Sequence, residues 1–253
     1  MTQFDGLWWL LLMLGPLIVM QRALHKELQG IFLLLTRRVE IAVVIFSLLF
    51  FPGVLLHELS HFLMAVLLRI RTGRFSLIPH HMGDGRLQLG FVETEQADFL
   101  RDALIGFAPL LAGGVFVGYA GWAKLGLLQL WDALLSLDSL VILEKFKVML
   151  AQPDFWLWFY LMVVISGTML PSPSDRRAWF SLVLAIGLLV GVGILAGAGP
   201  WMVENLGNPL NDVLRTTAIV FAVSAGVHLM VLIPAYGVRK ALNRLTGLQV
   251  AGG

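Results

Sequence analysis

Between Ile41 and Ile70 the chain is almost wholly apolar, yet one turn inside this run reads His57-Glu58-Leu59-Ser60-His61. As a helix rising 1.5 Å per residue, the run is long enough to cross a hydrocarbon layer of ~30 Å with some tilt, or with a kink at Pro52-Gly53. A helix that apolar must bury itself in lipid or in a large core. Three ionisable groups in one of its turns are costly in either place, so they mark a functional site by default. Composition decides between lipid and core. Only 13% of the residues are charged and 58% are hydrophobic, against about 25% charged in soluble domains. The mean hydropathy is +0.84. The chain therefore reads as an integral membrane protein.

The other apolar runs set the architecture. Leu7 to Met20, with Pro16 inside, predicts a first span. No Lys or Arg precedes it, so Leu7 to Leu24 reads as retained rather than as a cleaved signal peptide. The mixed stretch from Gln21 to Glu40 reads as an interfacial or re-entrant piece. Leu100 to Trp122 is a span rich in small residues, where Gly114 and Gly118 allow close helix packing. Lys124 to Gln152 reads as an amphipathic surface helix, and Phe155 to Leu170 as a span stopped by Pro171 and Pro173. Trp179 to Ala198 and Thr216 to Tyr236 follow as spans, with a loop from Gly199 to Asp212 between them. Phe75 to Ile78 and Leu87 to Val92 flank the turn signal Gly83-Asp84-Gly85 and predict a small β-hairpin. The expected fold is an all-α polytopic bundle of about six transmembrane helices, with that hairpin after the HExxH helix. It divides into an N-terminal segment (1–40), a core (41–177) and a C-terminal pair of spans (178–253).

Several function classes drop out. The net charge is +2, and no basic run is interleaved with aromatics, so no nucleic-acid partner is expected. There are no cysteines, so any transition metal must be held by His, Asp or Glu. On a helix, residues i and i+4 share one face. His57 and His61 can therefore reach one ion, for which Zn²⁺ is the usual choice. Glu58 lies beside that ion and can act as general base. Asp175 is the expected third ligand. It closes the span that ends at Leu170, and counting spans brings it to the membrane face that His57 and His61 approach. His228, alone in an apolar span, is a possible accessory group: a ligand, a transition-state stabiliser or a packing residue. His80 and His81 read as hairpin residues facing water, and Glu40 is too many turns away.

These residues together resemble the site-2 protease family of intramembrane metalloproteases. The resemblance runs from about Ile41 to Arg177, with low similarity from Lys124 to Gln152. Ala108-Pro109-Leu110-Leu111-Ala112-Gly113 looks like the family's Gly/Pro segment. The resemblance implies a zinc endopeptidase in which His57, His61 and Asp175 bind the metal and Glu58 is catalytic. Its substrate would be a membrane protein, cut within or near a transmembrane helix. Thr168 stands where the family has Asn, Asp175 comes one residue early after the proline, and Arg176 replaces a Gly. Three other classes fit the composition: a membrane metallohydrolase of another substrate, a non-catalytic metal-binding scaffold, and a transporter. No internal repeat supports the last. The basic residues Arg69, Arg71, Arg74 and Arg86 predict a cytoplasmic hairpin in the cell membrane, with the metal nearer that face. Arg176, Arg177, Arg239, Lys240 and Arg244 are expected on the same side; Arg37 and Arg38 are not.

Overall fold

A computed structural model of the chain describes residues 5–76, 80–81, 87–88, 90–95 and 97–248. Helix α1 (Asp5–Thr36) runs without a break from the first span through Gln21 to Thr36, most of the stretch expected to be interfacial. No proline lies between Met20 and Thr36, and Glu27 in this stretch is paired with Arg239 of another helix. Arg37 takes a left-handed φ of 54°, Arg38 is extended, and the chain turns back into α2 (Val39–Leu67).

Two short antiparallel strand pairs follow, β1 (Thr72–Ser76) with β4 (Phe91–Thr94) and β2 (His80–His81) with β3 (Leu87–Gln88). The expected turn at Gly83-Asp84-Gly85 lies outside the described residues. Asp98 caps α3 (Phe99–Tyr119) by accepting from the N–H groups of Leu100 and Arg101, both at 3.1 Å. One π-helical turn (Ala120–Lys124) leads to α4 (Leu127–Leu135) and α5 (Ser139–Leu150). Helix α6 (Phe155–Ser166) is bent by 90° from α5 and stops short of the expected Leu170. Helix α7 (Trp179–Leu195) is apolar and buries none of its residues. The segment expected as a loop, Gly199 to Asp212, is instead the start of α8 (Gly199–Thr246). Pro200 in its first turn has no N–H to lose from the helix ladder.

Among the described residues four helices (α1, α2, the α3 unit through Lys124, and α8) are long and apolar enough to cross a membrane, and the bent α5–α6 pair makes a fifth if taken as one span. The expected figure of about six is reached only by counting the shorter α7 as well.

Helices α1 and α8 lie parallel, joined at two levels by ion pairs. Arg215 donates to both oxygens of Asp5, at 2.7 and 2.6 Å. Arg239 donates to Glu27 at 3.0 Å. The two pairs are ~33 Å apart along α1 and ~36 Å along α8, close to one hydrocarbon thickness of ~30 Å. No charged residue lies between Thr216 and Val238. Helix α2 is antiparallel to α1, with His25 packed edge-on against Phe46 and Phe50. It therefore carries the strands to the Asp5 end. Arg239, Lys240 and Arg244 lie at the other end, near Arg37 and Arg38, and not on the strand side as expected. Both faces are thus rich in basic residues, and charge bias gives no orientation.

Candidate metal centre

The ligating atoms of His57, His61 and Asp175 all lie within 4.8 Å of one another. The two imidazole Nε2 atoms are 3.2 Å apart. His57 Nε2 is 3.6 Å from Asp175 Oδ2, and His61 Nε2 is 3.4 Å from Oδ1. A tetrahedral ion with bonds of ~2.1 Å holds its ligand atoms about 3.4 Å apart. The three groups have that spacing, so the donor set fits a metal ion.

Each imidazole is held from behind, and the chain makes both partners available. His57 Nδ1 lies 2.7 Å from the Thr168 carbonyl, and His61 Nδ1 lies 2.9 Å from the Ile105 carbonyl. Donation from Nδ1–H leaves both Nε2 lone pairs aimed at the metal position. The Thr168 carbonyl is available because α6 has already ended. The Ile105 carbonyl is available because its helical donor would be residue 109, which is Pro109. Proline lacks the N–H that would bond four residues back, so a bend-forming residue in α3 supplies an acceptor for His61. Pro109→Ala should return that carbonyl to the helix ladder and weaken metal binding by roughly 10-fold, as loss of an outer partner does. Metal titration of the purified variant checks this, and unchanged affinity would remove Pro109 from the site's design.

Asp175 is placed by a reciprocal pair of bonds. The Ser172 N–H donates to Asp175 Oδ2 at 2.7 Å, and the Asp175 N–H donates to Ser172 Oγ at 3.3 Å. This is a capping box over Ser172-Pro173-Ser174-Asp175, with Asp in the place of the usual Glu. The segment expected to stop a helix thus also starts the next helical turn. Burial alone would push the Asp175 carboxyl up. The neighbouring imidazoles of His57 and His61 and the Ser172 N–H outweigh it and hold it well below the usual carboxylate range.

Two glycines let the backbones meet. A Cβ at Gly106 of α3 would collide with the Asp175 carbonyl oxygen, and one at Gly53 of α2 with the Val164 carbonyl and Thr168 Oγ1. Glu58 is buried next to the triad, with Gly90 at the foot of β4 packed on its side chain. Glu58 is not among the three ligating groups.

The triad opens into a cavity of about 880 Å³. Its walls include two groups on α1 that sequence reasoning missed, Gln21 and His25, and the β4 segment from Gly90 to Glu93. Gln21 donates from Nε2 to the Gly167 carbonyl at 2.5 Å, beside Thr168. The signal was an i, i+4 polar pair in a helix otherwise apolar on that face. His228 is fully buried behind Gly167 and outside the ligand group. Neither ring nitrogen has a hydrogen-bond partner among the described residues.

No known family matches the chain, and neither a curated protein nor a solved structure matches it.

Proposed function

We propose that this protein is an intramembrane zinc endopeptidase that cuts membrane proteins within or near a transmembrane segment. The observation that carries the proposal is the convergence of His57, His61 and Asp175 beside the buried Glu58, on a helix apolar enough to cross a membrane. Two imidazoles and a carboxylate with an open fourth position make a catalytic zinc set. Zinc, when bound there, supplies a Lewis acid that polarises a carbonyl and acidifies water.

The chain's own residues do the rest. His57 and His61 are oriented toward the metal position by the Thr168 and Ile105 carbonyls. Glu58 takes a proton from the attacking water and returns it to the departing amine nitrogen. A metal scaffold would need the histidines but not that carboxylate, which favours an enzyme. The cavity supports a peptide substrate over a lipid. Gly90 to Glu93 line it as a strand, beside which an extended peptide backbone can pair. A helical substrate must unwind to do so, because its amides are bonded within the helix.

The test is cleavage in proteoliposomes of a panel of membrane-spanning peptides with Gly or Pro at varied depth. Cleavage is expected to stop with a zinc chelator and return with added Zn²⁺. Cleavage indifferent to chelation, or hydrolysis of lipid esters with no peptide cut, would overturn the proposal.

A further inference from the structure

We infer that the crevice between α1 and α8 at their Glu27–Arg239 end binds a phosphate group carried by a phospholipid headgroup. A cavity of about 490 Å³ lies there, lined by Lys26, Glu27, Tyr236, Arg239, Lys240 and Asn243. It is separate from the metal centre, and none of its residues takes part in the proposed reaction.

The charge of the lining sets the ligand's sign. Among the described residues the lining holds Lys26, Arg239 and Lys240 beside one anion, Glu27, which Arg239 engages at 3.0 Å. The Arg239 side chain lies over Gly30, where a Cβ would come within 3.0 Å of its Nε. Lys26 and Lys240 stand at the exposed rim. The lining therefore attracts an anion. It also presents two buried acceptors with no hydrogen-bond partner among the described residues, Glu27 Oε2 and Asn243 Oδ1. Buried acceptors are costly to leave unmade. A ligand that answers both features carries a phosphate and, close to it, a hydroxyl or ammonium donor.

Depth and surroundings choose the source. The Glu27–Arg239 pair sits ~33 Å along α1 from the Asp5–Arg215 pair, so one of these levels lies at each edge of a ~30 Å hydrocarbon layer. Lipid phosphates occupy that level. Tyr236 is exposed there, as interfacial aromatics are, with the Lys240 ammonium 6.0 Å from its ring. Below it on α8, Ile233 and Met230 are exposed apolar residues along which an acyl chain can lie. Basic pockets between spans at this depth are typical phospholipid sites.

The experiment is native mass spectrometry of the full chain in detergent, titrated with phosphatidylglycerol, phosphatidylethanolamine, phosphatidylcholine and phosphate-free diacylglycerol. One phosphatidylglycerol or phosphatidylethanolamine should be retained in preference to phosphatidylcholine, which has no donor, and to diacylglycerol. Lys26→Gln with Lys240→Gln should weaken that binding by roughly 30-fold, the effect of two basic groups near a membrane surface. The Lys26→Arg, Lys240→Arg pair should restore it, which separates lost charge from lost fold. Equal retention of diacylglycerol, or indifference to the lysine pair, would overturn the inference. A parallel thermal melt tests inorganic phosphate alone. Lysine-dependent stabilisation as large as that by phospholipid would assign the site to free phosphate and overturn the lipid source.

Discussion

Glu58→Gln should lower peptide cleavage by on the order of 10²–10⁴-fold, the span lost with a positioned proton-transfer group, while metal content stays near that of the wild type. The substitution keeps the size and shape of a buried side chain packed under Gly90, so the helix and its two imidazoles should stay where they are. It removes only the ability to accept a proton. Glu58 is outside the ligand group, which is why activity and metal content should separate. Metal analysis of wild type and variant, run beside the proteoliposome assay, reads both quantities. A variant that still cleaves would sink the proposed role. A variant that loses its metal would make Glu58 a ligand rather than a base. The scaffold alternative requires no change in any phenotype.

The parts of the site legible in the sequence were those that depend on short spacing. His57 and His61 are one helical turn apart, and any helix over Ile41 to Ile70 puts them on one face. Asp175 was legible through span counting, which uses only direction of travel. The long-range partners were not legible. That Ile105 would serve His61 depends on α3 docking against α2, and the enabling residue, Pro109, acts on a carbonyl four positions earlier. The Ser172-to-Asp175 box has a readable pattern, but two prolines drew attention to what ends there rather than to what begins. Gln21 and His25 were hidden for a different reason. Amid Arg22, Lys26 and Glu27 they look like part of a polar surface, and only the packing of α1 shows that they face the cavity while the others do not.

The same contrast explains the errors in the fold. Asn205, Asn208, Asn211 and Asp212 compete with the helix backbone, yet Gly199 to Asp212, expected as a loop, is helical. In the structure Asn211 accepts from the Gly6 N–H at 2.8 Å and Arg215 grips Asp5, so contacts with the start of α1 outweigh local preference. Charge bias failed because it counts residues without knowing where α8 begins. Once α8 is one helix parallel to α1, its C-terminal basic cluster must lie opposite the strands.

Asp175→Ala should weaken metal binding by more than about 100-fold, beyond the 10–100-fold typical of an outer partner, and cleavage should fall with it. The carboxylate is the one donor from outside α2, so its loss leaves two imidazoles that cannot complete a tetrahedral set. A second effect runs the same way. Without the carboxylate, Ser172 N–H loses its 2.7 Å acceptor and the capping box opens, freeing the turn that brings this segment under Gly106. Asp175→Asn separates the two effects, since an amide oxygen can still accept from Ser172 but is a far weaker metal ligand. The Asn variant should keep the thermal stability of the wild type and lose the metal, whereas the Ala variant should lose both. Full metal retention in the Asn variant would remove Asp175 from the ligand set and require the third donor to come from elsewhere along the cavity, where His25, Glu58, Glu93 and Asp102 are groups able to supply one.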